Sequence, residues 1–144
     1  QTACSVVPEV KQKVIQYKVR DELKSMNLAE HLPSAYEAMG VKLSLTSQND
    51  YPHFKITGTL NYAVPVDLPA FVQAPLQQRL KQKSCQVLDK VKEQDAEIQH
   101  AIRQVVREDD VQVWLQVQDS EQKQLLQVRQ HLTECGNLFA QNEQ

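Results

Sequence analysis

Four histidines, three cysteines and three glycines bound the chemistry open to this chain of 144 residues. His31, His53, His100 and His131 stand in neither H-x-x-x-H nor H-E-x-x-H spacing. Metal sites use such spacings because they aim several ligands at one point. Glu97 and His100 are three apart, as in the metal-binding helical bundles, but no second copy accompanies them. A nucleophilic serine needs an activating base and an oxyanion cradle, and no G-x-S-x-G turn is present. Gly40, Gly58 and Gly136 are isolated, so no glycine-rich loop gathers backbone N–H groups around a phosphate. The sequence therefore predicts no catalytic residue, no metal ligand and no cofactor.

Cys4, Cys85 and Cys135 are the three cysteines. No C-x-x-C pair occurs, which argues against a redox dithiol or a zinc site. One disulfide plus one odd thiol is the simplest expectation, and it belongs to an oxidising compartment. The start Gln1-Thr2-Ala3-Cys4 reads as what a signal peptidase leaves after cutting behind a small residue. A trimmed start and a lipid-anchored Cys4 are the alternatives, although Gln1 stands where a lipid-anchor motif takes an aliphatic residue. No N-x-S/T sequon is present. The expected location is the periplasm or exterior of a bacterium.

The elements that position these residues follow from periodicity. The length suits one domain, 1–144, with residues 1–8 as an extended lead into a helix after Pro8. From Glu9 to Asn27, Val10, Val14 and Tyr17 lie on one side of that helix and Ile15, Val19 and Met26 on another. A short helix, Ser34 to Met39, is expected before Gly40. Strict alternation then marks Val41–Leu45 and Phe54–Tyr62 as a hairpin about a turn at Gln48–Pro52. Val64–Pro75, with three prolines, reads as a crossing segment. Leu76, Leu80, Val87, Val91, Ile98, Ile102 and Val105 keep a 3.6 period with no Gly or Pro. They predict one long helix over 76–107, about 45–50 Å if straight. Val111–Val117 alternates as a third strand. The tail is read as a helix from Asp119, with Gln122 completing a capping box; alternation through Leu126, Val128 and Leu132 offers a fourth strand instead.

Two features point to a partner. Trp114, the single tryptophan, lies on the polar side of its strand among glutamines, where a helix covers it or a partner meets it. On the expected long helix, Arg79, Lys83 and Lys90 fall in a basic half, and Glu93 and Glu97 open an acidic half. That order opposes the helix dipole. An antiparallel second copy, or a partner with a complementary stripe, would match it. If the long helix is straight, Cys85 and Cys135 lie far apart, and Cys4 becomes the expected partner of one of them.

Together these patterns predict an α+β fold. A small antiparallel sheet of three to four strands packs against two or three helices, one of them long. With net charge −2 the chain has no basic field for nucleic acid, and no apolar run reaches membrane-spanning length. The expected function is an exported, non-enzymatic binding or adaptor protein, such as a periplasmic chaperone or an accessory of an envelope or secretion machine. Its partner is another protein or a second copy of itself. A small secreted inhibitor of a hydrolase, or a small hydrolase whose site assembles only in space, are the alternatives.

Overall fold

A computed structural model describes residues 2–38 and 40–139, with the side chains of residues 2–8 and 38 outside the description. Helix α1 (Thr2–Ser25) is followed by β1 (Ala35–Ala38), β2 (Val41–Asp50) and β3 (His53–Thr59). Helix α2 (Ala70–Cys85), a 3₁₀ segment (Gln86–Glu93) and helix α3 (Ala96–Asp109) lead to β4 (Gln112–Gln118) and β5 (Gln124–His131). The α+β class stands. The sheet has five strands in the order β1-β2-β3-β4-β5, one more than the most expected. It is mixed rather than antiparallel, because β3 and β4 pair parallel. Parallel neighbours need a long crossover, and residues 60–111 with their helices supply it.

Alternation sets the inner face. Phe54 and Ile56 of β3, Val113, Leu115 and Val117 of β4, and Leu126 and Val128 of β5 are buried in one core with Leu76 and Leu80 of α2 and Val106 of α3. A second small core, Val19 with Ala101 and Val105, fixes α1 against α3. These two helices run the same way. Lys11 Nζ meets Glu97 Oε2 at 3.3 Å near the start of α3, and Arg20 Nε meets Asp109 Oδ2 at 2.8 Å at its end. Asn49 of β2 donates to the carbonyls of Leu23 and Met26, both at 2.9 Å, and so closes the end of α1 onto the sheet.

Five expectations are corrected. The backbone of residues 2–8 is helical, not an extended lead, although Pro8 removes one N–H from the helical ladder. Ala35–Ala38 is a strand, not a helix, because Gly40 at φ 77° makes the hairpin turn to β2 rather than a helix cap. The long helix over 76–107 does not exist. Helix α2 starts earlier, at Ala70, passes through Pro75 and stops at Cys85. In the 3₁₀ turn that follows, Val87 faces solvent and Leu88 enters the core, so the 3.6 phase is lost. From the first turn of α3, Gln99 Nε2 donates back to the carbonyls of Lys92 (3.2 Å) and Gln94 (2.9 Å), satisfying groups the break exposes.

The tail is strand β5, not a helix. Asp119 does cap N–H groups, but those of a hairpin turn: its carboxylate accepts from Glu121 and Lys123 at 2.9 Å and from Val64 at 3.0 Å. A register shift at Val117/Gln118 lets the adjacent Leu125 and Leu126 both be buried, which blurred the alternation. Finally, Cys85 bonds to Cys135, with Cα atoms 5.5 Å apart. The premise that separated them was the straight helix. The side chain of Cys4 lies outside the described residues.

Candidate functional site

Alternation that buries one side of β3, β4 and β5 exposes the other. Among the described residues no helix covers this outer face, and α2 and α3 pack on the inner one. Register sets its rows. Asp50, His53, Gln112 and His131 form one; Gln48, Lys55, Trp114 and Arg129 the next; Thr46, Thr57, Gln116 and Gln127 a third. Gln118 and Gln124 pair beyond them. Five of the glutamines that crowd the second half of the sequence are therefore outward positions of β4 and β5.

Trp114 is the centre of this face, and its own sheet holds it. The Arg129 guanidinium lies 3.8 Å from the ring centroid. The His53 ring stacks on it at 4.0 Å with planes 19° apart. Lys55 Nζ is 5.4 Å away, and the indole N–H donates to Gln112 Oε1 at 2.8 Å. Such contacts are each worth about 0.5–1.5 kcal/mol and fix the side chains in place. Lys55 is paired with Asp50 at 3.0 Å, and His131 Nδ1 with Asp110 Oδ1 at 2.8 Å. Arg129 is exposed and has no acidic partner among the described residues. Beside it a depression of about 230 Å³ is lined by Lys55, Thr57, Trp114, Gln116 and Gln127, with Ile56 and Leu115. Stacking orients Arg129 while leaving its N–H donors for an acceptor from outside.

Other polar groupings are built into the frame. Asp109 accepts from Arg20 and, at 2.6 Å, from the Tyr51 hydroxyl. Burial alone would raise the Asp109 carboxyl, but the hydrogen bonds from Arg20 and Tyr51 outweigh it and hold the carboxyl below its ordinary value. Burial, then its hydrogen bond to Asp109, pushes the Tyr51 hydroxyl up. This cluster ties α1, α3 and the β2–β3 turn together. Asp119 is likewise held low, first by the Val64 N–H and then by that of Lys123. A groove of about 470 Å³ beside the disulfide is lined by Lys81, Asp89, Glu134 and Asn137 among others, with no histidine. Asn137 closes one side of it, donating to the Cys85 carbonyl and to Asp89 Oδ1, both at 2.8 Å. The His131–Asp110 pair is half-exposed, and no hydroxyl or thiol among the described residues bonds to it.

The candidate partner residues do not come together. Arg79 and Lys83 are on α2, Lys90 and Glu93 in the 3₁₀ segment, and Glu97 on α3. The basic and acidic halves thus occupy different elements, so the single rod that an antiparallel copy would match is absent. Lys83 instead lies 5.4 Å over the Tyr36 ring, and Glu97 holds Lys11. Trp114 alone sits in a built surface, covered by strand neighbours rather than by a helix. Sequence reading missed His53, Lys55 and Arg129 because only register brings them to the indole. Arg129 had a local signal, its alternation with Val128 and Gln130, which the helical reading of the tail hid. Groups of His, Cys, Asp and Glu able to hold a metal are not found among the described residues, nor is any helix long and apolar enough to cross a membrane. Compared with models of protein families, with curated proteins and with solved structures, the chain matches none.

Proposed function

We propose that the protein is a non-enzymatic binding or adaptor protein of an oxidising compartment, the periplasm or cell exterior of a bacterium, and that it meets another protein through the outer face of its sheet. The observation that carries this reading is Arg129. Its guanidinium lies over the Trp114 ring with no acidic partner among the described residues, on an open face of amides and threonines. Carboxylates pair with a guanidinium through two parallel N–H···O bonds, and a pre-oriented guanidinium loses less entropy in making them. The flanking amides suit the backbone and polar side chains of an extended segment. The partner segment is therefore acidic and extended. The disulfide Cys85–Cys135 supports the compartment.

Trp114 is the only tryptophan, so its fluorescence reports on this face alone. Titration with a flexible peptide alternating Glu and Thr should give a saturable change that Arg129→Glu abolishes. A peptide alternating Lys and Thr should give none. A change that Arg129→Glu leaves intact, or no change at all, contradicts the reading.

A further inference from the structure

Helix α1 has a neighbour on one face only among the described residues. Val19 and Ile15 pack against α3. On the opposite side Val10, Val14 and Tyr17 are 56%, 46% and 66% exposed. Their spacing is four, then three, and in the sequence it continues back to Val7 and Ala3. That is the a/d repeat of a coiled-coil seam. At 100° per residue the three exposed side chains span only about 60° of the helix, narrower than the broad apolar face by which a helix lies in a lipid interface. The width suits one partner helix.

The flanks state its charge. Positions e and g of this seam are Lys11, Lys18, Lys13 and Arg20. Lys11 is held by Glu97, and Arg20 by Glu108 and Asp109. Lys13 and Lys18 are exposed and have no acidic partner among the described residues. Since e and g of one helix face e and g of the other, a second copy of α1 would set lysine against lysine in either orientation. We infer that the outward face of α1 docks an amphipathic helix of a partner protein, apolar at its a and d positions and acidic at e and g. This surface is separated from the sheet's outer face by α3 and the core, so the two could be engaged at once, as an adaptor requires.

The test uses the whole protein and two labelled peptides of four heptads, Leu at a and d, one with Glu and one with Lys at e and g. Followed by fluorescence anisotropy, the acidic peptide should bind at least about tenfold tighter than the basic one. Val14→Asp should weaken it by about tenfold or more, while the double change Lys13→Glu with Lys18→Glu should reverse the preference. All three positions are exposed, and an unchanged circular dichroism spectrum verifies the fold. Equal binding of both peptides, or indifference to these changes, overturns the inference. So does sedimentation with phosphatidylglycerol vesicles that Val14→Asp abolishes, which would make the occupant a lipid surface. A dimer dispersed by Val14→Asp would make it a second copy.

Discussion

At the scale of single residues, positions are fixed by what their neighbours allow. Gly58 sits mid-strand in β3, where a Cβ would lie 3.0 Å from Leu43 Cδ1 and 3.2 Å from its Cβ. The second distance is to an atom anchored on the backbone, which cannot swing away. Gly58→Ala should therefore destabilise by about 1–3 kcal/mol, seen as a lower urea midpoint with an unchanged slope; no change would mean that β2 and β3 separate more easily than their register implies. Trp114 is held in the opposite way, by contacts rather than by lack of space. Arg129, His53 and Lys55 come from two other strands, so the tryptophan's polar face was legible in the sequence but its companions were not. Asp119 shows the same limit. A carboxylate that accepts N–H groups starts a helix or makes a turn with equal ease, and only the burial of both Leu125 and Leu126 decides for the turn.

Among elements, those defined by their own periodicity were readable and those defined by long-range contact were not. Val41–Leu45, Phe54–Tyr62 and Val111–Val117 alternate because one side of each strand faces the core, and they mark β2, β3, which ends at Thr59, and β4, which starts at Gln112. Strand β1 has four residues and gains its identity only by pairing with β2. The break between α2 and α3 carries no Gly or Pro to announce it. It exists because α2 must cross the sheet and hand Cys85 to Cys135, while α3 returns to deliver β4 beside β3. The bond closes a loop with a sequence separation of 50. On chain-entropy grounds, replacing both cysteines by alanine should cost about 4 kcal/mol. Alkylation before reduction should modify at most one thiol per chain, and all three after reduction and unfolding. Two or more reactive thiols in freshly purified native protein would contradict the pairing and remove the main support for an oxidising compartment.

For the whole molecule, three layers divide the work. The sheet presents one open polar face, α2 and α3 seal the other, and α1 lies outside α3. The cluster that joins the layers sets the pH response. The Asp109 and Asp119 carboxyls titrate lower in the fold than in the unfolded chain, so unfolding takes up protons. Their contribution is complete above the ordinary carboxylate pKa of about 4 and falls as pH drops through it towards the depressed values. Tyr51 has the reverse sense: raised in the fold, it favours the native state below about pH 10 and loses that contribution as pH climbs past its raised value. Thermal melts across pH should show a plateau between these limits and a decline at both ends. Asp109→Asn should flatten the acid limb, and an unaltered limb would remove Asp109 from this role. The central claim is that the sheet's outer face is the binding surface, and photo-crosslinking in the native compartment tests it most directly. A photoreactive residue in place of Gln116 or Gln127 should give a discrete protein adduct, lost when Arg129→Glu is added. The same probe in place of Gln78, on α2 beside the groove, should give none. Adducts of equal yield from all three positions, or adducts indifferent to Arg129→Glu, would contradict the account.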